Sequence, residues 1–258
     1  MSRHRAAIAL TALLGLLSAA PASAGPIQEE NLIVKFDGDF SPHALPRHRA
    51  VPIEVQVDGS IRTTDGSRPP ALQRLQISLN RHGVLTTRGL PVCREAELQS
   101  TTSEVAMERC GAAIVGSGSF GAGIYSPSDA PVPVSGRILA FNGEQGGRRV
   151  ILLHLYGTLP ITATFILPLK ISHASDGEFG TVLAARIPKI AGGTGSITSI
   201  HLKIGRRYSY RGRRLAFVSA SCAAPAGFNL APFSFARANF YLAGKRLGTT
   251  VVRYCRVR

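Results

Sequence analysis

The segment VILLHLYGTLPITATFILPLKI, Val150 to Ile171, is apolar enough and, at 22 residues, long enough to cross a bilayer as a helix. Its periodicity points elsewhere. Ile161, Ala163, Phe165, Leu167, Leu169 and Ile171 share one parity, and Thr162, Thr164, Pro168 and Lys170 take the other, with Ile166 the exception. A period of two belongs to a strand with one buried face. Val150 to Tyr156 is apolar on nearly both faces, which reads as a central strand, and Gly157-Thr158-Leu159-Pro160 reads as the turn between the two.

The same alternation recurs along the chain. Leu75, Ile77 and Leu79 alternate with Gln76 and Ser78, Ile53 and Val55 flank Glu54, and Ile200, Leu202 and Ile204 alternate with His201 and Lys203. Clusters such as DGDFSP, DGSRPP, SPSDAP and AGGTG punctuate these runs as turns, and FNGEQGG (Phe141 to Gly147) reads as a hairpin loop. Thr101-Thr102-Ser103-Glu104 offers a capping box for one short helix closed by Gly111. The expected fold is all-β: an antiparallel, sandwich-like single domain over residues 25–258, with one short helix and two disulfides. LQRLQISLNRHG leads to Cys93 much as ITSIHLKIGRRY leads to Cys222, an echo that allows an internal duplication.

Compartment follows from the first residues and the cysteines. Arg3 and Arg5, the apolar run Ala6 to Ala20 and the small-x-small site Ala22-Ser23-Ala24 predict a signal peptide over residues 1–24, and no anchor to membrane or lipid is expected after its removal. Cys93, Cys110, Cys222 and Cys255 permit three full pairings in an oxidising compartment. Neighbour pairing, Cys93 with Cys110 and Cys222 with Cys255, is the expectation, each bridge contributing roughly 3 to 4 kcal/mol. Zinc is disfavoured because no C-x-x-C pair and no histidine cluster at ligand spacing is present.

Charge is the other strong asymmetry. Residues 25–145 carry 11 basic and 13 acidic side chains, whereas from Gly146 onward there are 17 basic residues against only Asp176 and Glu178. The stretch GRRYSYRGRR, Gly205 to Arg214, packs five arginines and two tyrosines into ten residues with no carboxylate. Ile197 to Tyr210 and Arg213 to Ser221 read as two strands joined at Arg211-Gly212, which would bring Arg206, Arg207, Arg213 and Arg214 to one hairpin tip. Cross-strand like charges are unfavourable by up to about 1 kcal/mol per pair, so something should offset them. Water and salt are one answer. Carboxylates of the first half, such as Glu95, Glu97, Glu104 and Glu108, are another. An external anion is the third, gripped bidentately by guanidinium groups.

The segments RGLPVC, CGAAIVGSG, RILAFNG, ILLHLY and FVSASC, in this order and with these cysteine positions, resemble a group of exported, β-rich proteins of high-GC actinobacteria. The resemblance covers most of the chain from about Asn31 onward. It implies export and disulfides. No activity or catalytic residue is assigned to the group, so it transfers no function.

Several motifs have bland readings. Gly116-Ser117-Gly118-Ser119-Phe120-Gly121 matches G-x-G-x-x-G but lacks a following helix, and reads as a glycine-bearing strand. Asp37-Gly38-Asp39 lacks the rest of a calcium loop and reads as a turn after the strand Leu32 to Phe36. His154 reads as a hydrogen-bonded core histidine, and His173, Ser175 and Asp176 are neighbours in sequence without a triad pattern.

The expected function is therefore that of an exported, non-catalytic protein associating with an anionic cell-envelope or extracellular polymer, or an anionic lipid surface, through Lys203, Arg206, Arg207, Tyr208, Tyr210, Arg211, Arg213 and Arg214. Nucleic acid ranks below these partners in a secreted or envelope-associated protein, although the composition suits a single-strand groove. No cofactor and no metal is expected. The alternatives are a secreted hydrolase or carbohydrate-active enzyme using His154, or His173 with Asp176, and a ligand-free structural scaffold.

Overall fold

The alternating segments form strands, and nearly all pair antiparallel. The computed structural model describes residues 25–125, 131–159, 162–174 and 177–258. The leader read over residues 1–24, Pro160 of the expected turn, and Ser175 and Asp176 lie outside them. In chain order the elements are β1 Ile27–Glu29, β2 Leu32–Ser41, β3 Ala44–Leu45, β4 Val51–Pro52, β5 Glu54–Thr63, β6 Leu72–Asn80, β7 Gly83–Leu85, β8 Cys93–Arg94, α1 Glu95–Leu98 and α2 Ser103–Cys110. There follow β9 Ile114–Ile124, β10 Val132–Gln145, β11 Arg148–Leu159, β12 Ala163–His173, β13 Phe179–Arg186, β14 Gly195–Ile204, β15 Arg207–Tyr210, β16 Arg213–Ala216, β17 Val218–Ala220, β18 Leu230–Leu242 and β19 Lys245–Val257.

One sheet of 14 strands runs in the order β1-β2-β5-β14-β9-β10-β11-β12-β13-β6-β18-β19-β3, with β8 pairing β10. The sheet curls until its ends face each other, so one sheet supplies both layers of the sandwich. Phe36 on β2 meets Phe240 on β18 with ring centroids 6.2 Å apart, and Phe40 stacks on Phe235 at 5.7 Å. Carboxylates near the N-terminal end and cations of β19 fasten the seam: Arg253 pairs with Asp37 and lies 3.5 Å from Asp39, and Lys245 lies 2.8 Å from Glu30 and 3.7 Å from Glu29. This corrects the turn expected at Asp37-Gly38-Asp39, which continues β2 in register with Asp58, Val57 and Gln56. The two carboxylates grip an arginine that the local sequence gives no reason to expect.

The two paired strands are present, β11 against β12, but Gly157 to Leu159, expected as part of the turn, continue β11, where Gly157 lies opposite Ala163. Ile151, Leu153, Leu155, Leu167 and Leu169 face the main core, while Val150 and Leu152 face a second, smaller core beneath α1 and α2. Ile166, the exception to parity, packs into that second core. FNGEQGG is a hairpin, although only Gly146 and Gly147 turn and the rest belongs to β10. Gly116 to Gly121 lie within β9, as a glycine-bearing strand should. A Cβ at Gly118 would come within 1.9 Å of the carbonyl oxygen of His201 on β14, so glycine lets these backbones approach.

Both neighbour disulfides are formed, Cys93–Cys110 and Cys222–Cys255. The first ties β8 to the end of α2, whose N-cap Thr102 accepts from the amide of Val105. Glu97 lies beside this bridge, but both sulfurs are in the covalent bond and offer no thiolate to a metal. No helix among the described residues is long and apolar enough to cross a membrane.

Candidate anion-binding hairpin

The arginine-rich stretch leaves the large sheet at the end of β14 and forms its own two-stranded ribbon, β15 with β16. Arg211 and Gly212 both take positive φ, 49° and 73°, the requirement of a two-residue type I′ turn. The register sets Tyr210 opposite Arg213, Ser209 opposite Arg214, Tyr208 opposite Leu215 and Arg207 opposite Ala216. Arg207 and Arg214 therefore sit diagonally on one face. Tyr208, Tyr210, Leu215 and Arg213 occupy the other.

The tyrosine face docks on the loop after β7. The Tyr208 hydroxyl donates to the carbonyl of Arg88 at 2.8 Å, and desolvation holds that phenol above its ordinary range. Tyr210 covers Gly89, where φ is +79° and a Cβ would lie 2.3 Å from the ring. Both tyrosines are thus spent on holding the ribbon rather than offered as free stacking surfaces. The Arg211 guanidinium lies 5.3 Å from the centroid of Tyr210.

Arg206 does not reach the tip. Its guanidinium donates to the carbonyl of Ile114 at 2.8 Å and of Gly111 at 3.4 Å, closing the carbonyl end of the helical segment that follows α2. Lys203 is exposed on β14, opposite Gln56 and Ser117. Arg207, Arg211, Arg213 and Arg214 remain exposed on the ribbon, and the dock brings exposed Arg88 beside them from 119 residues before Arg207. Sequence inspection missed Arg88, since only the tyrosine hydroxyl's partner reveals it.

Internal neutralisation is real but goes elsewhere. Glu95 accepts from Gln145 at 2.9 Å and Glu97 caps the amide of Arg94 at 2.7 Å. Glu104 at the start of α2 is held below the ordinary carboxyl range by its own backbone amide and the Thr102 hydroxyl. Arg74 and Arg246 lie over Tyr241, and Arg237 lies over Phe179. Among the described residues, no carboxylate lies within ion-pair distance of Lys203, Arg207, Arg211, Arg213 or Arg214.

His154 is fully buried. Thr101 donates its hydroxyl hydrogen to Leu98, so the ring Nε2–H is the donor to the Thr101 carbonyl at 3.1 Å. Desolvation pushes its pKa below the ordinary 6.5, only partly opposed by that hydrogen bond and by Glu104. The native state then binds fewer protons than the unfolded chain as pH falls below about 6.5. Stability should be fully present above that pH and decline beneath it, measured as the urea midpoint at pH 7.5 and 5.5, and the decline should shrink in His154→Gln. A sealed histidine of this kind has no route to substrate. His173 is exposed at the end of β12.

These features define a class: a disulfide-bonded, curled β-sheet body bearing a docked, locally uncompensated cationic ribbon. Comparison with family models, with curated proteins and with solved structures found no match to this chain.

Proposed function

We propose that the protein is an exported, non-catalytic binder of anionic polymers, acting through the β15–β16 ribbon. One observation carries the reading: Arg207, Arg211, Arg213 and Arg214 are exposed together on a small hairpin with no carboxylate partner among the described residues. Exposed guanidinium groups on both faces of one short ribbon and at its turn suit phosphate or carboxylate groups repeating along a polymer that passes the tip. Two disulfides and the leader read at residues 1–24 support an extracytoplasmic setting, where envelope and extracellular polymers supply that charge.

The test is salt elution from immobilised polyphosphate. A variant with Arg207, Arg211, Arg213 and Arg214 changed to Ser should bind about tenfold more weakly, the sum of several exposed contacts at about 0 to 1 kcal/mol each. A control losing the same charge from exposed Arg148, Arg149, Arg186 and Arg256 should elute close to wild type. Equal retention of the two variants would remove the ribbon from the account, because net charge alone would then explain binding.

A further inference from the structure

The interior of the curled sheet is not filled. A cavity of about 240 Å³ lies between the concave faces of β9 to β12 and the segment joining β13 to β14, walled only by apolar residues such as Phe120, Leu155 and Phe165. A second of about 110 Å³ occupies the centre of the sandwich, and a third of about 80 Å³ lies toward the end closed by β4, β17 and β7. The first and second share Leu167, Ile187 and Ile197 as walls, and the second and third share Val57, Leu183 and Ile204. The three are therefore neighbours in the order first, second, third, each adjoining the next through shared side-chain walls.

We propose that this series of cavities binds the aliphatic chain of a single-chain amphiphile of the fatty-acid type. Apolar cavities of about 150 Å³ stay dry and accept small hydrocarbons, and the first cavity is larger than that. Three cavities, each adjoining the next, suit a chain rather than a compact ring. The entrance is at the segment bearing Pro188 and Ala191, both exposed as well as lining the cavity, so the polar end of the ligand stays in water there. Lys189 is exposed between Pro188 and Ile190, and Arg68 donates to the carbonyl of Gly193 in the same segment. That charge favours a carboxylate head over a cationic one. The entrance lies away from the arginine ribbon: Ile197, near the start of β14, walls the first cavity, whereas the ribbon follows Ile204, which walls the second and third, at the strand's other end.

Delipidated, disulfide-intact protein should be titrated with cis-parinaric acid, with palmitic acid as competitor. The expected result is saturable fluorescence at one probe per chain, displaced by palmitic acid and unchanged in the variant lacking the ribbon arginines. Two plugs test the location from different strands. At Gly157→Leu the nearest atoms to the new Cβ are the Val134 methyl, the Phe120 ring and the Ala163 carbonyl, at 3.3, 3.6 and 3.9 Å, and Ala122→Phe fills from β9. Each plug that keeps the wild-type near-UV dichroism should weaken binding at least about tenfold. Undiminished binding in a folded plug overturns the proposal, as does wild-type protein that never saturates at one probe per chain.

Discussion

Replacing Cys222 and Cys255 together by serine is expected to lower unfolding free energy by about 4 kcal/mol, the chain-entropy value for a bridge closing a 33-residue separation. Against a total of roughly 5 to 15 kcal/mol for a typical domain, that loss is large. The physical setting adds to the topological one. Cys222 and Cys255 are buried in the main core, and the bridge fastens β19 to the chain just after β17, in the small sheet that closes one end of the sandwich. Arg47 reinforces the same corner by donating to the carbonyls of Ala224, Pro225 and Phe228. The urea midpoint of the double variant measures the effect. The matching Cys93→Ser, Cys110→Ser variant, with a separation of 17, should lose about 3 kcal/mol. Its damage should be confined to the second core, so hydrogen exchange should quicken in α2 before it does in β18. A Cys222/Cys255 variant with an unchanged midpoint would mean that the bridge adds nothing to a corner already held by packing.

Arg253→Met is expected to cost about 2 to 4 kcal/mol, the range for removing one partner of a largely buried ion pair. The Arg253 side chain is 10% exposed and Asp37 is 22% exposed, so methionine would leave a carboxylate half-desolvated at the seam of the curled sheet. The second carboxylate, Asp39, is more open to water and contributes less. Changing Asp37 to Leu in the Arg253→Met background should recover part of the loss, because a carboxylate that has lost its arginine is then gone. Denaturant midpoints for the two singles and the double yield the coupling. Additivity within a few tenths of a kcal/mol would show that the pair does not join the two ends of the sheet energetically.

Much of the β architecture was legible along the chain because a strand's side-chain period is local. Val150 to Tyr156 could be read as a central strand from apolar residues on both parities, and it is buried on both faces. The helix at Ser103–Cys110 was legible from the run Thr101-Thr102-Ser103-Glu104, although the cap is Thr102, accepting from the amide of Val105, one residue later than the Thr101–Glu104 box that the spacing offered. Partnership was not legible in the same way. β14 lies between β5 and β9, and β6 lies between β13 and β18, pairings that join residues more than 70 positions apart in the chain. Nothing in a strand's own alternation names its neighbour. Ile166 looked like an irregularity until the second core under α1 and α2 gave it a place.

The candidate site divides along the same line. Arg211-Gly212 as a turn, and the density of arginine around it, are properties of consecutive residues. That Arg206 turns away to the carbonyls of Gly111 and Ile114, that Tyr208 and Tyr210 fasten the ribbon, and that Arg88 joins it all depend on which loop the ribbon lands on.

By itself, then, the amino-acid order determined strand periodicity, turn chemistry, the cap of α2 and the uneven distribution of charge, since each is settled by backbone preferences over a few neighbours. Only the tertiary structure decided which cations meet a carboxylate and which face water, and where the curled sheet leaves space inside. Those outcomes arise when distant surfaces are brought together, and packing rather than local preference selects them.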